Sequence, residues 1–286
     1  MKFATFIHAG VEQVGVVDLD AGRVHPLAAR DMLAAIALYP ADGSAASDNC
    51  AGIALGDVQL LAPLPRPERN IFCVGKNYRA HAQEFSRSGY EAGAVAGAEI
   101  DAYPAVFTKP GSSVVGPEAV VDLHAGITSE VDYEGELAVI IGKPGRNIAV
   151  SDAMAHVWGY TIINDVTARD RQKNHRQWLL GKGLDTFCPM GPWIVTADEL
   201  QADQLRVQTW VNGELRQDGH TADLLFSIPE LVSTISAGMA LKPGDVISTG
   251  TPAGVGIGMV PPRFLQPGDS VSVVIDGIGT LRNRFA

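Results

Sequence analysis

Glycine and proline interrupt this chain so often that an architecture of long helices is excluded. Its 286 residues include 31 glycines and 17 prolines. Glycine opens backbone conformations closed to other residues, whereas proline fixes φ and lacks a donor, so together they favour turns and short strands. Because 46% of the residues are hydrophobic and 19% charged, the segments between these breaks can still assemble a sizeable core, and disordered or fibrous states are excluded as well. The 22 basic residues against 32 acidic ones give a formal net charge of -10, which repels nucleic acid and anionic membrane surfaces. No apolar run reaches the roughly 18 residues that span a bilayer; the longest, Met32 to Ala41, is cut by Pro40. The first residues alternate like a strand and lack a signal-peptide pattern. Cys50, Cys73 and Cys188 are odd in number and have no CxxC spacing, which points to reduced thiols and to neither a disulfide framework nor a cysteine zinc site. These features predict a cytoplasmic protein.

Two regions are expected. Residues 1–66 read as a small N-terminal α+β domain and linker, with alternating segments Lys2–His8 and Val14–Leu19 and a helix over Ala28–Tyr39 ended by Pro40. Pro63, Pro65 and Pro67 make the connector stiff. Residues 67–286 form the larger domain. Its short runs at Ile71–Val74, Ala105–Thr108, Tyr133–Ile141, Val157–Ile163, Gln208–Val211, Asp245–Ser248 and Val271–Ile275 are ended by Gly, Pro or Asp and predict strands. One helix stands out, Pro229–Met239, with Ser227 and Glu230 as its capping box. The expected fold class is α+β, mostly β. The small, Gly-rich segment Ala92–Ala98 predicts a loop and is a candidate lid.

Familiar catalytic signatures are missing. The glycines from Gly250 to Gly258 lack the third position of a dinucleotide fingerprint, and there is no G-x-x-x-x-G-K-[ST], H-E-x-x-H or G-x-S-x-G. What remains is a set of carboxylates. In Glu134-Gly135-Glu136 the period of a strand points both acids to one face. Such a pair repels itself unless a cation lies between, so it marks either a divalent-metal site or a solvent-facing strand edge. Asp165, which follows the apolar run Val157–Asn164, is either a helix cap or a third oxygen ligand. Three carboxylates without Cys or His would select Mg²⁺ or Mn²⁺ over zinc. His81 and Glu84, at i and i+3, would share one face of a helical turn as a general base with its orienting acid, or simply as a helix ion pair. Lys109, Lys182 and Arg169 with Gln172 offer positive charge to an acidic substrate and any enolate formed from it, although each lysine alone reads as a solvated surface residue.

Taken in chain order, Gly75–Glu84, Phe107–Pro110, Asp132–Gly142, Asn164–Gln172, Lys182–Pro189 and Ser248–Gly256 resemble the motifs of the fumarylacetoacetate hydrolase family, in its bacterial two-domain form. The resemblance implies a β-roll catalytic domain behind the small N-terminal domain, a homodimer, and a Mg²⁺ or Mn²⁺ cofactor held by Glu134, Glu136 and Asp165. It implies that His81 and Glu84 activate water, that Lys182 takes part in catalysis, and that Lys109, Arg169, Gln172 and Thr251 bind substrate. Gly183 departs from the serine of many members, and Phe85–Tyr103 is a long lid that would set substrate choice. The implied reaction is metal-dependent hydrolysis of a carbon-carbon bond in a 3-acylpyruvate or related β-diketo acid, through an enolate. Isomerisation of a 2-hydroxydienedioate and decarboxylation of oxaloacetate are alternatives on the same small oxo-acid site, and a non-catalytic metal- or carboxylate-binding module is a third.

Overall fold

The computed structural model describes residues 1–39, 52–89 and 102–286. Pro40, Cys50, the expected loop Ala92–Ala98 and most of the expected lid lie outside the described residues. The first strands are β1 (Lys2–His8), β2 (Val11–Asp18), β3 (Arg23–Pro26), β4 (Ile71–Gly75) and β5 (Ala105–Lys109). They are followed by β6 (Gly135–Ile141), β7 (Val157–Asn164), β8 (Cys188–Thr196), β9 (Arg206–Val211) and β10 (Glu214–His220). The last are β11 (Val246–Ser248), β12 (Ser270–Ile275) and β13 (Gly279–Phe285). Among the described residues, five short α-helices complete the frame: α1 (Met32–Leu38), α2 (Arg79–Arg87), α3 (Arg169–His175), α4 (Leu179–Lys182) and α5 (Ile228–Ser236). The fold is mostly β with few helices, as expected. No helix among the described residues is long and apolar enough to cross a membrane.

Two mixed sheets face each other. The larger runs in the order β3-β2-β1-β8-β7-β6-β11-β4-β5, and the smaller contains β10-β9-β12-β13. Strands β6, β7 and β8 are buried along their whole length and read as near-continuous apolar runs because both their faces are covered. Strands β9 and β12 alternate buried residues with half-buried or exposed ones, the pattern of a sheet with one face toward the core. Along β6, Leu137, Val139 and Ile141 join the core that includes Val207 and Val273 of the second sheet, while Ala138 and Ile140 pack with Phe3, Ile71, Trp158 and Ile194. Even positions therefore form one face, and Glu134 and Glu136 belong to it.

The larger sheet runs across the boundary expected near residue 66. β1 pairs with β8 through Lys2↔Val195 and Phe3↔Ile194, so the N-terminal strands extend the sheet that carries the acids. Two helices start where side chains cap them. Asp31 accepts the Ala34 amide at 2.8 Å, which begins α1 later than the expected Ala28. Glu230 accepts both the amide and the hydroxyl of Ser227 at 2.7 Å, closing the expected box on α5. Strand β8 has no sequence signal, because Pro189 and Pro192 argue against a central strand.

Candidate active site

The antiparallel register of β6 and β7, with Gly135 opposite Asn164, brings three acids together. Asn164 Oδ1 accepts the Glu134 amide at 3.0 Å, and the Asp165 amide donates to Glu134 O at 2.8 Å. Carboxylate oxygens of Glu134, Glu136 and Asp165, all buried, lie within 4.8 Å of one another. Asp165 is thus not a helix cap; its carboxylate turns inward to two lysines. Gly135 is required between the glutamates because a Cβ there would collide with Thr209 Oγ1 and approach Val273 to 2.8 Å, where the two sheets touch.

Three cations face three acids. Lys182 Nζ lies 2.8 Å from Glu134 and 2.7 Å from Asp165, Arg169 Nη1 2.7 Å from Glu134, and Lys109 Nζ 2.6 Å from Asp165. Burial raises the Glu134 carboxyl, but Lys182, Arg169 and His81 outweigh it and hold it down at about 2. Glu136 fares oppositely: burial first, then Asp165 and Glu134, push it up to about 8. Its hydrogen bonds come from neutral donors, Ser248 Oγ at 2.5 Å and the Gly250 amide at 2.9 Å. An all-oxygen set whose members repel one another, with one carboxylate bonded only to neutral donors, fits a hard divalent cation. Glu134, Glu136 and Asp165 would hold it.

Across from the acids stands α2. Its buried face carries His81, Ala82 and Phe85. Glu84 Oε2 lies 3.2 Å from His81 Nδ1, and the Gly254 amide fixes Glu84 from behind at 3.0 and 3.2 Å. A carboxylate on Nδ1 favours the tautomer that leaves Nε2 as the proton acceptor. His81 lines a narrow cavity, of about 10 Å³, with Glu134, Glu136, Arg169, Gln172 and Lys182. Trp178 closes one side: its indole lies where a Cβ of Gly75 would be and meets Phe85 and Phe107 edge-on, at 6.3 and 5.1 Å between centroids.

Nearly all the residues singled out from sequence converge here, but two differ in position from the expectation. Lys109 is fully buried behind Asp165, its ammonium bonded to that carboxylate, to Val166 O at 3.0 Å and to Lys182 O. It holds the Asp165 carboxylate in place and does not line the cavity. Thr251 does line it, yet its hydroxyl donates to Gly135 O at 3.0 Å and accepts from Gln217 at 2.7 Å, so it braces the start of β6 between the glutamates. Gln172 Oε1 accepts from Arg169 at 3.1 Å. Sequence reasoning missed Ser248, Gln217, Trp178 and Asp132. Ser248 and Asp132 lie inside recognised motifs and were findable; Gln217, on β10, and Trp178, just before α4, carry no local signal.

The family profile described as fumarylacetoacetate (FAA) hydrolase C-terminal matches residues 70–286. The chain belongs to the fumarylacetoacetate hydrolase family. Over 232 residues, 81% of this chain and 74% of the relative, it is 52% identical to oxaloacetate tautomerase YisK of Bacillus subtilis (strain 168). Among solved structures it is similar to a fumarylacetoacetate hydrolase (EaFAH) from psychrophilic Exiguobacterium antarcticum, with 44% identity, a TM-score of 0.85 and coverage of 100% of this chain and 99% of that one. It also resembles a 2-hydroxyhepta-2,4-diene-1,7-dioate isomerase from Mycobacterium marinum, at 35% identity and a TM-score of 0.79, covering 100% and 98% of the two chains. Family membership therefore spans a tautomerase, a hydrolase and an isomerase, and the outcome must be argued from the site.

Proposed function

We propose that this site forms and quenches the enolate of a short 2-oxo acid, with tautomerisation of an oxaloacetate-like dicarboxylate as its principal reaction. The observation that carries the reading is the placement of His81, backed by Glu84, opposite the acid cage across one small cavity. A Mg²⁺ or Mn²⁺ ion held by Glu134, Glu136 and Asp165 would supply Lewis acidity to the 2-oxo carboxylate end. His81 Nε2 takes the enol hydroxyl proton and returns it to the adjacent carbon, so that no proton is gained or lost overall, and Glu84 keeps the ring oriented and stabilises the imidazolium formed between the two transfers. Arg169 and Lys182 line the cavity as cationic donors to a developing oxyanion. Trp178 and Phe85 keep water from the proton transfer. The likeness to a protein named oxaloacetate tautomerase supports this order of preference.

The test follows enol-to-keto conversion of oxaloacetate by chelator-treated protein with and without Mg²⁺ or Mn²⁺. Metal-dependent turnover is expected, reduced about 100-fold or more in His81→Ala; undiminished turnover after chelation would sink the reading. The same dyad is also suited to activating water, which favours a second reading, hydrolysis of a 3-acylpyruvate. Pyruvate and a second acid released from acetylpyruvate would establish it. We further propose a cytoplasmic homodimer. Free, buried Cys73 and Cys188 accord with that location. β5 stands at one end of the described sheet with Val106 41% exposed, and Leu179 and Leu180 of α4, which packs on β5, are 48% and 46% exposed, a surface suited to a second copy. Light scattering at the mass of one chain would refute this.

A further inference from the structure

One buried carboxylate outside the metal-binding set fastens the two halves of the site to each other. Asp132, fully buried, accepts Arg169 Nε at 2.9 Å, the Gly256 amide at 2.7 Å and the Ile257 amide at 3.1 Å. On one side, Arg169 carries this anchorage into the cavity, where Nη1 holds Glu134 and Gln172 while Nη2 is buried without a hydrogen-bond partner among the described residues. On the other side, Gly256 and Ile257 belong to the turn that braces the base. The Gly254 amide in that turn donates to both oxygens of Glu84, and Gly258 abuts the same carboxyl so closely that a Cβ there would overlap it. Tyr133, next in sequence to Asp132, adds a second tie by donating to Gly254 O at 2.9 Å.

We propose that Asp132 is a positioning residue that sets the separation between the His81–Glu84 dyad and the Arg169 guanidinium, the two groups that must meet the same substrate. The inference rests on the enolate reading of the site. All three groups that Asp132 accepts from outside its own segment are N–H donors, so only a group with acceptors on both oxygens satisfies them together. An asparagine must turn an NH₂ toward at least one of them, leaving a buried donor opposed by another donor. One arm then moves relative to the other, and misplacement of about 1 Å costs on the order of 100-fold in rate.

The experiment compares wild type with Asp132→Asn. The variant is expected to bind Mn²⁺ by calorimetry with about wild-type affinity and to keep KM within a few-fold, while kcat for enol-to-keto conversion falls about 100-fold. Hydrogen exchange should quicken in residues 250–259 and in α2 and stay unchanged in β6. Wild-type kcat in the variant, or a loss confined to Mn²⁺ affinity, overturns the proposal. If the wild type turns over no oxo acid, the functional reading falls separately, and exchange decides the positioning claim: unchanged rates in 250–259 refute it. Should Asp132→Asn lack a cooperative melt, Gly258→Ala tests the link from the other end. It must lower kcat with Mn²⁺ affinity retained, and a wild-type kcat there refutes the role of the turn.

Discussion

Glu134 and Glu136 lie two residues apart, yet their protons are held in opposite senses, Glu134 down at about 2 and Glu136 up at about 8. The difference lies in their neighbours, since Glu134 has Lys182 and Arg169 within hydrogen-bonding distance whereas Glu136 has Ser248 and a backbone amide. The unfolded chain releases the Glu136 proton near the usual 4.5, and the metal-free fold only near 8. Stability from this group is therefore complete below 4.5 and lost as pH rises toward 8. Melting of chelator-treated protein should show Tm falling over that window, and Glu136→Gln should remove this component of the fall. The neutral donors matter as well: Ser248→Ala leaves an oxygen of Glu136 without its hydroxyl partner, and Mn²⁺ affinity by calorimetry should weaken about 10- to 100-fold with the fold retained.

At the level of elements, the site depends on how closely β6 approaches the second sheet. Gly135→Ala places a methyl group against the side chains of Thr209 and Val273, where the two sheets pack, and thermal unfolding should show a loss of about 1–3 kcal/mol. A variant as stable as wild type would mean that the sheets slide freely. Much of this layer was legible in the sequence. The apolar runs of β4, β6 and β7 and the capping box of α5 appear where their patterns place them, because local periodicity and local hydrogen bonds specify them. β8 was not legible, since its two prolines mask a strand whose place is fixed by neighbours distant in sequence. Lys109 was misread for a related reason: a lysine that reads as a surface or substrate contact lies fully buried, its charge met by Asp165. Asp132 stood in plain view within a motif, but its partners at Gly256 and Ile257 are more than a hundred residues away.

For the whole molecule, the sheet that runs from the N-terminal strands to β5 makes β1, β2 and β3 part of the support of the candidate site. Phe3 is fully buried with its ring 4.9 Å from that of Trp158, and Met32 and Ile36 of α1 join the same cluster as Ile71, Ala138 and Ile194. A protein consisting of residues 67–286 would expose that apolar surface and the edge of β8, so it should aggregate or melt without cooperativity; a melt matching the full chain would show that the N-terminal part is dispensable. The sequence hid this continuity because a proline-rich connector marks where the chain stiffens and says nothing of which strands later pair across it. The four tryptophans are spread unevenly through this frame. Trp158 and Trp193 donate their indole N–H groups to Tyr39 O and Ile278 O, Trp210 lies on β9, and Trp178 alone of the four lines the cavity. The molecule thus carries its own optical reporter: light emitted by one indole beside Gly75 registers what enters the cavity, before any bond is made or broken.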